Sequence, residues 1–148
     1  MRSAIRTDQA PRPAAAYEQA IVSGDLIFVS GQVATDPATG TIHAATIEEQ
    51  VTQVLQNVEA IVEAGGGDRR SIVRCGVFLA DLKDFAAMNR AYQEFFGETL
   101  PARTTVQAGL GELRVEIDAI AVRRRVAARG ARASKRRHRA VTRSPKRR

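Results

Sequence analysis

The segment TIEEQVTQVLQNVEAIVEAGGG, residues 46–67, carries the clearest helical pattern in the chain. Its apolar residues recur at steps of three and four and form one stripe: Ile47, Val51, Val54, Leu55, Val58, Ile61 and Val62. Thr46 followed by Glu49 is typical of a capping box, and three consecutive glycines end the helix. Because only one side of the predicted helix is apolar, we expect it to lie on a sheet.

Strand patterns flank this helix on both sides. Before it, residues 20–22 and 26–30 are apolar runs joined by a Ser-Gly-Asp turn, which predicts a hairpin. After it, residues 72–80 alternate, with one apolar face made of Val73, Cys75, Val77 and Leu79. Residues 113–122 alternate again, with Leu113, Val115, Ile117, Ala119 and Ala121 on one face and Arg114, Glu116, Asp118 and Ile120 on the other.

A second helix is predicted between Asp84, which we expect to cap it, and Gly97. Its apolar side holds Phe85, Met88, Tyr92, Phe95 and Phe96, and a short strand follows at residues 104–106. The order β-β-α-β-α-β-β favours a two-layer α+β domain with both helices on one face of the sheet. The other face of the sheet carries charged and small residues, and a face of this kind is often covered by another copy of the chain in an oligomer. Residues 1–16 are expected to be a loosely held arm.

The composition excludes several functional classes. A chain of 148 residues, 44% of them apolar, has room for one domain and its core. One cysteine forms no internal disulfide, and with only two histidines, His43 and His138, a metal site is not expected. The first residues lack the apolar core of a signal peptide, and no apolar run approaches the roughly 20 residues of a membrane helix. The sequence therefore predicts a soluble, cytoplasmic protein without a metal.

Charge divides the chain at residue 122. Residues 123–148 contain thirteen of the 23 lysines and arginines and none of the 16 acids, so residues 1–122 carry a net charge of −6 and the remainder +13. We assign residues 1–122 to a folded domain and 123–148 to a basic, disordered C-terminal extension, because such a block buries too little apolar surface to order itself. The extension is either solvated or a non-specific anchor on RNA, DNA or another polyanion, without aromatic residues for base stacking.

Few residues of the domain have an obvious chemical role when each is taken alone. His43 follows a turn and Cys75 sits on an apolar strand face, so nucleophilic Cys–His catalysis is not supported. Gly31 is most simply explained by an unusual backbone turn. Arg103 precedes a strand of β-branched residues, and a guanidinium held at such an edge can grip a carboxylate at two points. A surface arginine without function is the alternative.

Six short motifs occur in order along the chain: AYEQA at 16–20, SGQ at 30–32, VFLAD at 77–81, NRAYQEFF at 89–96, PARTTV at 101–106 and VEIDAIA at 115–121. Together and at this spacing they resemble the RidA family, also called YjgF or UK114-like and labelled in older usage L-PSP endoribonuclease. Any one motif alone is weak, whereas six in order are specific. The resemblance covers about residues 10–123.

The resemblance implies a chorismate-mutase-like α+β fold with a mixed sheet, assembled as a homotrimer with sites between subunits. It also implies hydrolysis of 2-imino acids, such as 2-iminopropanoate and 2-iminobutanoate, to 2-oxo acids and ammonia, without metal or cofactor. By position in the motifs, Arg103 would bind the substrate carboxylate, Thr105 would offer main-chain groups to the imine end, and Glu116 would hold and activate water. The substrate pocket would be lined by Tyr17, Ser30, Gly31 and Asn89.

Departures from the family pattern fall near the implied site. Glu18 replaces the usual Ser after Tyr17 and adds an acid near a site for anions, and two alanines replace Gly-Pro before it. The loop at residues 109–113 is shorter than usual and lacks a Leu-Pro turn. Two other functions stay open: a nucleic-acid-binding or ribonuclease-like translation inhibitor acting through the basic extension, and a ligand-binding trimer without turnover. For RNA cleavage the domain offers no paired histidines and no acidic metal cluster.

Overall fold

A computed structural model describes residues 1–124 of the chain. Its strands are β1 (Arg2–Ile5), β2 (Ala20–Ser23), β3 (Leu26–Gln32), β4 (Ile72–Leu79), β5 (Ala102–Gln107) and β6 (Val115–Val122), and its helices are α1 (Ile47–Ala64) and α2 (Phe85–Phe96). Short 3-10 turns at Arg69–Ser71 and Leu82–Asp84 precede β4 and α2. Most of the predicted basic extension, with His138, lies outside the described residues.

One mixed sheet holds the six strands in the order β1-β2-β3-β6-β4-β5. Every neighbouring pair is antiparallel except β4 and β5, which run parallel with α2 as the crossover between them. Both helices pack on one face of this sheet, where their apolar residues and alternate strand residues such as Ile27, Val77 and Ile117 form a single core. The prediction of a two-layer α+β domain with helices on one face is confirmed.

Helix α1 follows the pattern from which it was predicted. Thr46 Oγ1 accepts a hydrogen bond from the Glu49 amide at 3.2 Å, and the Glu49 carboxylate accepts from the Thr46 amide at 3.0 Å. All seven residues of the apolar stripe are buried. Asn57 is buried beside them because its side-chain amide donates to the carbonyls of Val33 and Thr35, which holds the segment after β3 against the helix. Neither helix of the described chain has the length and apolar character needed to cross a membrane.

The N-terminal arm is held more firmly than predicted. Residues 2–5 form β1, which pairs antiparallel with β2. The buried Gln19 side chain accepts from the Thr7 amide at 2.7 Å and donates to the carbonyls of Thr7, Ala10 and Pro11. The prediction of a loosely held arm is therefore wrong for residues 2–11, since one buried amide satisfies four backbone groups of the arm.

Two side chains lie elsewhere than the sequence predicts. Asp84 stands at the start of α2, but it makes no capping bond, and its carboxylate accepts from the Arg114 guanidinium at 2.8 Å. Val73 is 45% exposed, because a register shift between Ile72 and Arg74 against β6 gives the buried position to Ile72. The position of Asp84 thus depends on Arg114, just before β6, and the exposure of Val73 depends on the register of β4 against β6.

The end of β6 is tied to the turn after α1. The Arg123 amide donates to the Asp25 carbonyl at 2.8 Å, and the Arg123 guanidinium donates to the Gly65 carbonyl at 2.9 Å. The Arg124 guanidinium forms an ion pair with the Asp68 carboxylate. The first two residues assigned to the basic extension are therefore in contact with the domain.

Candidate functional site

Arg103 projects from the edge strand β5 toward helix α2. Its Nη2 donates to Asn89 Oδ1 at 2.8 Å, and its guanidinium carbon lies 4.6 Å from the centre of the Tyr92 ring. Met88 Sδ is 3.8 Å from Nη1, and the centre of the Phe85 ring is 5.7 Å from the guanidinium carbon. Because these four residues of α2 stand at positions i, i+3, i+4 and i+7, one helix face fixes the position of the guanidinium.

The positive charge of Arg103 has no acidic partner within the domain. None of the ion pairs formed inside residues 1–124 involves Arg103. A half-buried guanidinium whose neighbours are an amide oxygen, a sulfur and aromatic rings is suited to bind a carboxylate at two points. Further along β5, Thr105 Oγ1 is buried and has no hydrogen-bond partner among the described residues. A buried hydroxyl whose hydrogen-bonding capacity is unused thus lies two residues from the guanidinium.

Cys75 and Tyr92 flank Arg103 on the core side and do not supply a nucleophile. Cys75 is the β4 partner of Arg103 and is fully buried, and burial raises the pKa of its thiol to about 11. Burial also raises the pKa of the Tyr92 hydroxyl. Both groups therefore stay protonated at neutral pH, and the prediction that Cys75 is a buried thiol is confirmed.

Glu116 lies on the other face of the sheet, beside Gly31. Its neighbours Val115 and Ile117 are buried under the helices, so the alternation of β6 directs Glu116 to the uncovered face. A β-carbon on Gly31 would overlap Glu116 Oε1 and lie 2.8 Å from Glu116 Cδ. Gly31 does not belong to the glycines with positive φ in residues 1–124. The pairing of β3 with β6 does shift register between Val29 and Gln32, so the predicted irregularity of the backbone is present, and the glycine also leaves room for the carboxylate.

Tyr17 and Ser30 border one shallow depression on the uncovered side of the sheet. The depression has a volume of about 510 Å³ and is lined as well by Arg2, Glu18, Ile21 and two alanines. Ser30 Oγ donates to the Glu18 carbonyl at 2.7 Å, which ties β3 to the segment before β2. Tyr17 is 46% exposed, so its ring is available to a ligand.

Glu18 is paired with Arg6 at the rim of this depression. The Arg6 guanidinium donates to both carboxylate oxygens of Glu18, at 2.6 and 2.9 Å, and the hydrogen bonds to Arg6 lower the pKa of Glu18. The acid that departs from the family pattern therefore adds no uncompensated negative charge to the depression. The Arg6 side chain is exposed and that of Glu18 is partly exposed, so the pair contributes little to stability.

The implied site residues fall into two groups within one chain. An edge group lies at β5 and α2 on the helix side of the sheet: Asn89, Arg103 and Thr105. An open-face group lies on the uncovered side: Tyr17, Ser30, Gly31 and Glu116. The structure brings the members of each group together, whereas the sheet separates Arg103 from Glu116 of the same chain.

The sequence pattern alone does not reveal the support that α2 gives to Arg103. Phe85, Met88 and Tyr92 were assigned only to the apolar side of a helix, yet all three contact the guanidinium. The available signal was Asn89, a polar residue next to this apolar stripe, which marks where the stripe meets a polar partner.

The short loop at residues 109–113 turns through Gly111 at φ +63° and leads into β6 through Arg114, which Asp84 holds in place.

His43 lies away from both groups. Its Nε2 is 2.8 Å from the hydroxyls of Thr39 and Thr41 on an exposed turn, as expected of a solvated histidine. Within residues 1–124, no three side chains among His, Cys, Asp and Glu are grouped so that they could hold a metal ion.

Comparisons with known proteins place this geometry in a family. Residues 7–123 match the family described as Endoribonuclease L-PSP. A RutC family protein of Pyrococcus horikoshii is 42% identical over 123 residues, which cover 82% of this chain and 98% of that protein. A Salmonella typhimurium protein named 2-iminobutanoate/2-iminopropanoate deaminase is 42% identical over 129 residues, covering 84% of this chain and 100% of that protein. The crystal structure of the YjgF gene product of Escherichia coli has a TM-score of 0.78 at 41% identity, covering 82% of this chain and 99% of that one.

These matches extend over most of the chain, and they include the strands and the helix that carry both groups of site residues. The six motifs, the two-layer fold and the similarity to known proteins therefore lead to one conclusion: the chain belongs to the RidA/YjgF family, in which some proteins are named imine deaminases and others only RutC family or L-PSP endoribonuclease proteins.

Proposed function

We propose that the protein is a 2-imino acid deaminase, which hydrolyses substrates such as 2-iminopropanoate and 2-iminobutanoate to 2-oxo acids and ammonia. The observation that carries the proposal is Arg103, a guanidinium without an acidic partner that Asn89 and the Tyr92 ring hold in place. The planar carboxylate of a 2-imino acid matches such a guanidinium at two points. Relatives at 42% identity that carry this activity in their names support the same function.

We also propose that the active site is shared between neighbouring copies in a homotrimer. Arg103 and Glu116 face opposite sides of the sheet, so both reach one substrate only when the edge group of one copy meets the open-face group of the next. The uncovered face exposes apolar side chains that a neighbouring copy would cover, among them Phe28 at 42%, Val73 at 45% and Val106 at 43%. When two different surfaces of the same chain contact each other from copy to copy, the copies form a closed ring if the rotation between them closes.

The proposed reaction needs only positioning and one base, because the imine carbon is already electrophilic. Arg103 holds the carboxylate, and Glu116 takes a proton from water as the water oxygen bonds to C2. The same proton then passes to the nitrogen, which gives the carbinolamine. The hydroxyl proton of the carbinolamine next moves through Glu116 to the nitrogen as the C–N bond breaks, so ammonia leaves and C2 becomes a carbonyl. Thr105 offers main-chain groups to the imine end, and the substrate is bordered by Tyr17, Ser30, Gly31 and Asn89. Orientation of the water and general-base assistance of about 10²–10⁴-fold supply the acceleration.

The test generates the imine in place, with an L-amino-acid oxidase acting on alanine or 2-aminobutanoate, and follows its decay by trapping with semicarbazide. We expect the protein to accelerate the decay and Arg103→Ala to lose the acceleration. Arg103→Lys keeps the charge without the two-point grip and should retain only a small part of the rate. Arg70→Ala, an exposed arginine on the turn before β4, is the matched control and should keep the full rate.

Two outcomes of this assay would decide against the proposal. If the imine decays no faster with the unaltered protein than in buffer alone, the chain is not a deaminase for these imines. If a 2-oxo acid protects Arg103 from a dicarbonyl reagent while no imine is consumed faster, the protein is a ligand-binding trimer without turnover.

A further inference from the structure

The basic extension lies beyond the part of the chain that the family accounts for. The family match ends at residue 123, and relatives whose own length is covered to 98–100% match only 82–84% of this chain. Residues 123–148 contain eleven arginines, two lysines and no acid, whereas the domain before them carries a net charge of −6. The implied deaminase chemistry uses none of these cations, so the extension calls for an explanation of its own.

The structure shows which of these cations are already engaged. The Arg123 guanidinium donates to the Gly65 carbonyl, and the Arg124 guanidinium is paired with Asp68. The other eleven of the thirteen cations belong to residues 125–148, outside the part of the chain that the structure describes. The contacts of Arg123 and Arg124 also fix the point at which the chain leaves the domain, at the turn that follows α1.

This exit point is far from the proposed catalytic carboxylate. Glu116 is the second residue of β6, and Arg123 follows the last residue of the same strand, seven positions later. At about 3.3 Å per strand residue, the two positions are roughly 23 Å apart. The extension therefore begins away from the open-face group.

The composition of the extension favours phosphate over a lipid surface. Its largest apolar residues are two valines, Val126 and Val141, so it lacks the Trp, Phe or Leu side chains by which interfacial helices insert. A lipid anchor on cysteine is also excluded, because the chain has one cysteine and Cys75 is fully buried. Guanidinium groups, by contrast, bind phosphate oxygens at two points, and arginine outnumbers lysine here by eleven to two.

We propose that residues 125–148 bind the phosphate backbone of nucleic acid without sequence preference and thereby hold the domain on it. The binding comes from phosphate neutralisation and release of counterions, so it weakens steeply with salt. If all eleven cations of residues 125–148 neutralise phosphates, the slope of log K against log salt reaches about −10 on duplex DNA, and it is shallower on single strands. The proposal does not depend on deaminase activity.

The experiment measures the affinity of the full chain for a fluorescent random-sequence DNA duplex, and for single-stranded RNA of the same length, over a range of salt concentrations. Lys135→Gln, Arg136→Gln and Arg137→Gln together remove three charges from the extension. The matched control removes one exposed lysine and two exposed arginines from the domain: Lys83→Gln, Arg70→Gln and Arg90→Gln. Both triple variants change the net charge from +7 to +4. Each lost phosphate contact lowers the duplex slope by about 0.9, so we expect the extension variant to lose two to three units and the control none.

Three results would overturn this proposal: no binding to either nucleic acid at moderate salt, an equal loss of slope in both triple variants, or binding to phosphatidylserine vesicles in place of nucleic acid. A failed imine assay would leave the proposal standing, and failed binding would leave the deaminase proposal standing.

Discussion

At position 31 the carboxylate of Glu116 occupies the space in which a β-carbon would lie. We expect Gly31→Ala to push this carboxylate from its place, because the end of the Glu116 side chain is the group that the added β-carbon meets. If Glu116 activates the water, the imine deaminase rate should fall by about 10²-fold, within the range that a general base supplies. The measurement is kcat/KM with 2-iminobutanoate, together with a thermal melt to show that the domain remains folded.

Gly109→Ala is the control for this substitution. Gly109 lies in the loop before β6, its φ is not positive, and an added β-carbon would meet no atom within 4 Å. We expect its deaminase rate and melting temperature to match those of the unaltered protein. Full activity in Gly31→Ala would show that the position of the Glu116 carboxylate beside Gly31 is not required for the reaction.

Among the elements, helix α1 depends most on local chemistry, and its first turn is the part most open to measurement. Thr46→Ala removes the hydroxyl that accepts from the Glu49 amide and leaves that amide without its cap. We expect a loss of about 1 kcal/mol in the free energy of unfolding, measured by urea denaturation at fixed protein concentration. Thr52→Ala, at an exposed position in the same helix, should cost nothing or stabilise slightly, since alanine has the higher helix propensity. Equal losses in both variants would contradict a specific role for the cap.

The same contrast between local and distant interactions explains which elements the sequence predicts. The stripe and the cap of α1 are complete within twenty residues, so the pattern predicts the helix and its buried face. Strand β1 depends on pairing with β2 and on Gln19, and nothing in residues 2–5 themselves alternates between apolar and polar. Likewise, Val73 is exposed because β4 shifts register against β6, a strand more than forty positions away.

For the candidate site, the motifs identify the residue types but not how they meet. The alternation along β6 correctly predicts that Glu116 lies opposite the apolar face. The face of Arg103 follows from the parallel register of β5 on β4, in which Arg103 stands next to the buried Cys75. No local pattern contains that register, so the separation of Arg103 from Glu116 by the sheet becomes visible only in the fold.

In the whole molecule, this separation makes a prediction about assembly. If each active site takes Arg103 from one chain and Glu116 from its neighbour, two inactive variants can restore activity to each other. Arg103→Ala chains still carry an intact open-face group, and Glu116→Gln chains still carry an intact edge group. A site that takes its edge group from a Glu116→Gln chain and its open-face group from an Arg103→Ala chain therefore contains both functional side chains.

We expect an equal mixture of the two variants, unfolded and refolded together, to regain activity that neither shows alone. In randomly assembled closed rings, about a quarter of the contacts join the chains in the productive order, so the mixture should reach about a quarter of the unaltered rate. Sedimentation analysis should give three chains per particle for each variant and for the mixture. The double variant carrying both substitutions, refolded with unaltered chains, is the control, because it measures the activity that dilution alone produces. A mixture that stays inactive while forming mixed trimers would show that Arg103 and Glu116 do not serve one shared site.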